Sequence, residues 1–438
     1  MILLYHLFLF GYSTGIRLIS PWNTKAGLWI RGRKDVFQQL RKINFSDPGK
    51  TVWMHSASLG EFEQGRPVLQ KLKETYPGIR IIITFFSPSG YEIIKKNKEF
   101  PDVFYLPMDS ATNAKKFLDI VKPSLVLWVK YEYWHYYLKE IKKRDIPLLM
   151  VSGIYRTNQV FFKWYGEFYR NMLKAFTHFF VQNISSEQAL LQLITREKIT
   201  ITGDTRCDRV IDIAENFTEV KGIAAFCGDY KVIVAGSTWE DDEAEWIHYV
   251  KQHPEIKFII APHEIDEENL LDVQKNFPGS IFYSEWIENK VSGMGNQGAG
   301  NAHEVSGQQV SGSGNQEPNC IIIDNIGMLS RLYYYATITY VGGGFGDDGL
   351  HNILEAAVYG KPVIFGPEHD KNFEAQELID CSGAICIENA VELEQKTNQL
   401  LNDENELMRR GKAARNYIYS NAGASKKILK YIQQQSLI

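Results

Sequence analysis

The chain has 438 residues, 44% of them hydrophobic and 13% aromatic, with a formal net charge of −4. That composition supports a large core, most economically split into two domains, and excludes a disordered chain. The slight acidity also excludes a surface built to coat nucleic acid, so an anionic ligand must meet a local basic patch.

The first element, MILLYHLFLFGY, is an apolar run broken only by His6 and Gly11. A bilayer span needs about twenty apolar residues, and Ser13, Thr14 and Arg17 arrive too early for that. A signal peptide would carry a basic start and a small-residue cleavage site, and neither is present. Basic residues follow at Lys25, Arg31, Arg33, Lys34, Arg41 and Lys42. Residues 1–45 therefore read as a membrane-associating segment, an interfacial or short anchoring helix held to an anionic leaflet. A buried first helix is the other reading.

From Thr51 the chain alternates short apolar, β-branched or aromatic runs with charged stretches of helical period. TVWMHSAS, RIIITFFS, DVFYLPMD, SLVLWVK, PLLMVSG and HFFVQN predict six strands of a parallel sheet covered by helices. A second series, KVIVAGST, KFIIAPHE, SIFYSE, NCIIID, ATITYVGGG and KPVIFGPE, predicts another. The fold class is α/β, with two Rossmann-like, doubly wound domains over 46–210 and 225–415 and ligand expected in a cleft at the carboxyl ends of the strands. Residues 416–438 predict a C-terminal helix returning to the first domain. Residues 288–318, dominated by Gly, Ser, Asn and Gln, bury too little apolar surface to order and predict a disordered loop.

Chemistry concentrates in two places. In HSASLGEFEQGRP, which follows the first strand, Glu61 stands at a helix start. It reads either as a capping carboxylate satisfied by the helix N-terminus or as a base aimed into the cleft. In TYVGGGFGDDGLHNILEAA, a glycine-rich loop leads into a helix opening near His351, which suits a phosphate approached by backbone amides. Neither GxGxxG nor GxxxxGK[ST] fits these glycines. Glu355 reads as a partner for ribose hydroxyls or as a first-turn dipole residue, and a nucleotide-sugar donor suits the loop better than a dinucleotide.

Two further features have plain readings. The acidic pairs Asp241-Asp242 and Asp347-Asp348 resemble a helix start and a loop, so no metal ligands are assigned. Cys207, Cys227, Cys320, Cys381 and Cys386 form no CxxC pair and read as packing thiols of a reducing compartment. Between Ile154 and Phe176, Phe161, Phe162, Trp164, Tyr165, Phe168, Tyr169 and Met172 recur at helical spacing, predicting a helix that faces the core, or one that helps form an acceptor groove or dips into a headgroup layer.

Taken together, HSASLGEFEQGRP, YEYW, GDTRCD, AGSTWEDDE, DNIGMLSRLYYYATITYVGGG, GLHNILEAA and FGPEHDKNFEA are similar, in order and spacing, to the motifs of the 3-deoxy-D-manno-octulosonic acid (Kdo) transferases. The resemblance runs from the N-terminal segment to about Asn421. It implies a GT-B glycosyltransferase without a cofactor, inverting and metal-independent. Its donor would be CMP-Kdo and its acceptor a lipid A precursor at the cytoplasmic face of the inner membrane. It further implies Glu61 as general base, and Glu132 and Arg206 as transition-state stabilisers. For CMP-Kdo it implies contacts at Ser237, Pro262, His263, Ile326, Gly327, Met328, Gly343, Asn352, Ile353, Leu354, Glu355 and Asn372. Two departures stand out: His263 replaces the family's usual arginine, and KYEYWH keeps one acidic residue where the family has two. The competing readings are another GT-B nucleotide-sugar transferase or epimerase, and a membrane-peripheral nucleotide-binding regulator.

Overall fold

The computed structural model describes residues 1–43, 50–130, 132–295, 318–346, 349–370 and 372–438. The chain divides into one unit of Met1–Arg209 with Asn421–Ile438 and a second of Val210–Ser420.

The first unit opens with three helices, α1 (Ile2–Ile19), α2 (Thr24–Arg33) and α3 (Val36–Arg41). One face of α1 is attached to the unit. Tyr5 and Leu9 are buried, and the Tyr5 hydroxyl donates to Asp109 at 2.5 Å. The same carboxylate accepts the backbone N–H groups of Tyr136 and Tyr137, so α1 is tied to the start of the helix His135–Lys143. Its other face leaves Leu3, Leu7, Phe10 and Leu18 exposed. At 18 residues with mean hydropathy 1.4, α1 is long and apolar enough to cross a membrane, by length and composition alone.

The sheet follows: β1 (Thr51–Ser56), the helix α4 (Leu59–Thr75), then β2 (Arg80–Phe85), β3 (Val103–Tyr105), β4 (Leu125–Val129), β5 (Leu148–Gly153), β6 (His178–Val181) and β7 (Ile199–Ile201). All pairings are parallel and the order is β3-β2-β1-β4-β5-β6-β7. Every residue of β1 and β4 is buried, which explains the unbroken apolar run of β4 and the Val52–Met54 centre of β1: strands covered on both faces need no polar alternation. Asn421 returns the chain to this unit, where the helix Ala424–Gln434 packs on α4 and buries Ile428 and Ile432 completely. Asp208 accepts the backbone N–H groups of Gly423 and Ser425 and fixes that return. Residues up to Ser420 instead complete the helix Glu404–Ser420 of the second unit, so the expected single helix over 416–438 is two.

The second unit repeats the plan with β8 (Lys231–Thr238), β9 (Ile256–Pro262), β10 (Ile281–Phe282), β11 (Cys320–Ile322), β12 (Ile338–Val341), β13 (Val363–Phe365) and β14 (Ala384–Cys386), in the order β10-β11-β9-β8-β12-β13-β14, again parallel. The chain is thus α/β with two doubly wound parallel sheets. The twelve strands read from sequence are all present, and β7 and β14, three residues each at sheet edges, are additional.

Two expectations change. The aromatic stretch is not one helix but a 3₁₀ turn Val160–Phe162 and a short helix Glu167–Leu173, with Phe161 and Met172 buried and Trp164 91% exposed between them. Gly166 sits in that break, where the folded-back chain leaves no room for a side chain: a Cβ there would lie 2.0 Å from the Val160 oxygen. The disordered loop expected over 288–318 lies mostly outside the described residues, but its first part extends the helix Tyr283–Gly295. All five cysteines are free thiols.

Candidate active site

In an open parallel sheet, ligands bind at the carboxyl ends of the strands where the strand order reverses. In the first unit that point lies between β1 and β4. The first turn of α4, just after β1, carries Glu61, and the loop after β4 carries Glu132. Ser58 caps α4, accepting the Glu61 N–H at 3.5 Å, while the Glu61 carboxylate accepts the N–H of Ala57. Glu61 is 9% exposed and lies against its own helix start. The capping interaction read from sequence is therefore formed.

Glu132 is held more elaborately. The chain of donors begins at Trp53, whose indole N–H donates to Thr84 Oγ1 at 2.8 Å. Thr84 Oγ1 lies 3.0 Å from His55 Nδ1, and His55 Nε2 lies 2.9 Å from Glu132 Oε2. An ionised carboxylate only accepts, so Nε2 carries the proton and Nδ1 accepts from the threonine. Trp134 adds its indole N–H to the same carboxylate oxygen at 3.0 Å, and Trp128 donates to the Glu132 carbonyl at 2.6 Å. His55 is fully buried, so this relay starts inside the core and ends at the sheet's edge. It joins HSASLGE to YEYW.

Arg206, near the start of the helix Thr205–Glu215, is ion-paired through Nε and Nη2 with Asp204 at 2.9 and 2.7 Å. Burial pushes the Asp204 carboxyl up, but Arg206 and Lys130 outweigh it and hold the group below its ordinary range. Lys130 follows β4 and Arg209 pairs with Glu63 of α4, so the arginine belongs to the same edge as Glu61 and Glu132. Lys130 and Ser152, at the ends of β4 and β5, both have positive φ, at 51° and 55°. Strain of that kind in non-glycine residues persists only where surrounding contacts impose it.

In the second unit the order reverses between β8 and β12. The pairing of β8 with β9 shifts between Gly236 and Thr238, and Ser237 takes φ +54°. Beyond this bulge Trp239 stacks on His263 (4.6 Å between centroids), and His263 stacks on His351 at 4.3 Å. Trp239 Nε1 donates to His351 Nε2 at 3.0 Å, which leaves the Nδ1 of His351 to carry its proton. Three rings from β8, β9 and the glycine loop thus form one wall.

The loop itself is fastened by Asp242. Its carboxylate accepts the N–H of Gly343 at 2.7 Å, the N–H of Trp239 at 3.0 Å and the Tyr340 hydroxyl at 2.6 Å. Burial nevertheless raises its pKa against those donors. Gly342 and Gly343 are required: a Cβ on Gly342 would lie 2.3 Å from the Ser237 oxygen, and Gly343 has φ +86°. Next to Asp242, Glu243 is buried, accepts from Thr238 Oγ1 at 2.9 Å, and is pushed up to about 7, mainly by burial.

The other predicted donor contacts divide into groups. Ser237, Pro262, His263 and Gly343 meet around the ring stack. Asn352 donates to Glu355 at 2.9 Å, and Asn372 donates to the Leu350 carbonyl at 2.8 Å, bracing the segment that carries them. The helix expected from His351 is only Leu354–Ala357; the Asn372 contact and the His351 N–H bond to Gly342 (3.0 Å) engage the residues before it. Ile353 and Leu354 point into the core, which leaves their main chain alone for a ligand. Ile326 is exposed, Gly327 has φ +96° and Met328 precedes the short helix Leu329–Leu332, whose Leu329 abuts Gly236. Asp347 and Asp348 lie outside the described residues. Sequence reasoning missed His55, Trp239 and His351 as site groups. Each was quoted within a motif, but only the sheet register brings them to their partners.

Residues 31–209 match the family model described as 3-deoxy-D-manno-octulosonic-acid transferase (kdotransferase). The chain is 25% identical over 365 residues to the 3-deoxy-D-manno-octulosonic acid transferase of Aquifex aeolicus, covering 81% of this chain and 87% of that one. To the Haemophilus influenzae protein of the same name it is 24% identical over 396 residues, covering 87% and 86%. Among solved structures it resembles UDP-GlcNAc 2-epimerase from Neisseria meningitidis, with a TM-score of 0.61, 17% identity and 88% and 100% coverage. It also resembles Acinetobacter baumannii MurG, at 0.51, 11%, and 88% and 100%. Those structures share the GT-B-like fold.

Proposed function

We propose that this protein transfers Kdo from CMP-Kdo to a lipid A precursor at a membrane surface, because residues 31–209 match the Kdo-transferase family model and relatives of that name align along most of the chain. The carrying observation is the 2.9 Å contact of His55 with Glu132, which fixes two family motifs against each other at the strand-order reversal of the first unit.

In this reading Glu61 takes the proton from the attacking acceptor hydroxyl, exchanging its contact with Ala57 for one with the incoming alcohol. Glu132, held by His55 and Trp134, presents negative charge to the oxocarbenium character that develops as the sugar leaves CMP. Arg206 offers its cation to the Kdo carboxylate or the departing phosphate. In the second unit the Trp239–His263–His351 wall and the glycine loop receive the nucleotide. His263 occupies the place of the family's arginine, and its stacking on His351 supports a donor contact made by aromatic faces and ring N–H groups. The reaction is inverting in a single displacement and needs no metal, with protein cations and main-chain N–H groups stabilising the cytidylate.

Transfer of radiolabelled Kdo from CMP-Kdo to a lipid A precursor tests the reading. Wild type should transfer. Glu61→Gln should lower kcat by roughly 10²- to 10⁴-fold with CMP affinity nearly unchanged, since the base acts on the acceptor. Transfer at the wild-type rate by Glu61→Gln would remove the base from that residue. Absence of transfer by wild type, with a UDP-sugar used instead, would favour the epimerase-like alternative.

A further inference from the structure

A cavity of about 620 Å³ opens in the first unit, between α1 and the broken aromatic segment. Leu4 and Phe8 of α1 form one wall, and Val160, Phe161 and Phe168 form the other. Its lining is mainly apolar, and Glu132 is the one carboxylate among the lining residues. This is the same Glu132 that His55 holds at the sheet's edge. The size suits a bound small molecule, and the shape of the lining suits a hydrocarbon with one polar terminus.

Its surroundings identify the occupant. Leu4 and Phe8 are 60% and 59% exposed and continue into the apolar outer face of α1. On the opposite side Trp164 and Tyr165 stand exposed at the break between Phe162 and Glu167. Exposed aromatic and aliphatic side chains around an apolar opening are the composition of a surface that meets lipid, Trp and Tyr at the headgroup level and Leu and Phe below it. A chain entering from that surface would run from hydrocarbon to a carboxylate at the candidate reaction site.

We propose that α1 is one wall of an acyl-chain groove: one hydrocarbon chain of the acceptor lies between Leu4 and Phe8 on one side and Val160, Phe161 and Phe168 on the other, its polar end at Glu132. The proposal rests on the acceptor being a lipid, and it makes α1 part of the substrate site as well as a membrane contact. It also accounts for the interrupted helix. A continuous helix over the aromatic stretch would carry its side chains on one regular stripe, whereas the break at Gly166 sends Phe161 and Phe168 to the groove and Trp164 to the surface.

A 16-carbon fatty acid with a diazirine on its terminal carbon, photolysed with the full chain in detergent-free buffer, tests this directly. Label mapped by mass spectrometry should fall on α1 and on residues 159–169, and should drop at least fivefold in Leu4→Trp, a surface substitution that fills the groove. Val160→Trp fills it from the other wall and should act alike, with circular dichroism confirming that both variants fold. Label spread over Leu3, Leu7 and Phe10 and indifferent to both substitutions would overturn the groove. A second arm uses acceptors of decreasing acyl length. Each methylene lost from the buried chain should raise KM up to about fourfold in wild type, and that dependence should flatten in the filled variants. Transfer with unchanged chain-length dependence in those variants would overturn the groove while leaving Kdo transfer intact. The expected labelling without any Kdo transfer would leave the groove standing and remove the enzymatic reading.

Discussion

Glu61 shows how far a single residue can be read from its neighbours. Ser58, Leu59 and Gly60 announce a helix start, and the structure supplies the corresponding cap, with Ala57 donating to the carboxylate. That local chemistry was legible; the identity of whatever else meets the carboxylate during turnover is not a local property. His55 is the opposite case. A polar residue within a buried strand gives no sign of its partner 77 positions away, and its link to Glu132 exists only because β1 and β4 pair in register. Replacing His55 with Phe should therefore leave Glu132 held by Trp134 alone, lowering kcat by roughly 10- to 100-fold with CMP affinity unchanged, and His55→Gln should recover part of the loss. Steady-state kinetics beside nucleotide titration separates this positioning role from a fold defect, which would lower both. Glu243 allows a pH test. Its carboxyl is raised to about 7 by burial, so the folded state binds a proton that the unfolded chain has released by then. Its contribution is full below about pH 4.5 and is lost as pH rises toward 7, by about 3 kcal/mol at most. Glu243→Gln should flatten that decline, so thermal scans of variant and wild type at pH 5 and pH 8 should diverge, the variant gaining relative stability at the higher pH.

Among the elements, length decided what could be read. β1, β2, β4, β5, β8 and β9 span five to eight residues each around an apolar stretch, and burial on both faces makes that pattern easy to read. β7 and β14 have three residues each and pair on one side only, so little in their sequences separates them from loop. The aromatic stretch misled for a different reason. Its helical spacing is real, but the Gly166 turn and three carbonyl-directed contacts of Arg170 and Gly166 favour a break that periodicity does not encode. The last helix illustrates packing rather than pattern. Ile428 and Ile432 are wholly buried against the core of the first unit, and Tyr431 stacks on His178 at 4.2 Å. Ile432→Ala should cost about 2–5 kcal/mol, measurable by urea unfolding as a lower midpoint at unchanged slope.

At the scale of the whole molecule, two seven-stranded parallel sheets of different strand order each place their chemistry at the point of order reversal. The division into two doubly wound units was evident in the resetting of the strand pattern near residue 231. The donor and acceptor chemistry was not evident from pattern alone, because a glycine loop fixed by Asp242 and a carboxylate fixed by His55 are both products of tertiary pairing. Their division of labour predicts metal independence. Activity in excess chelator should equal activity without it, and a loss restored by added magnesium would show that a cation, rather than Arg206 and main-chain N–H groups, stabilises the leaving nucleotide.

The return of Asn421–Ile438 to the first unit has a bearing on biosynthesis. When the ribosome has completed Arg209, that unit still lacks the segment that covers α4, and at roughly 5–20 residues per second the missing piece follows on the order of 10–40 s later. Through that interval an apolar patch stays open on the nascent chain while α1 is already available to a membrane. Deleting Asn421–Ile438 would thus uncover the core of the amino-terminal half of the protein.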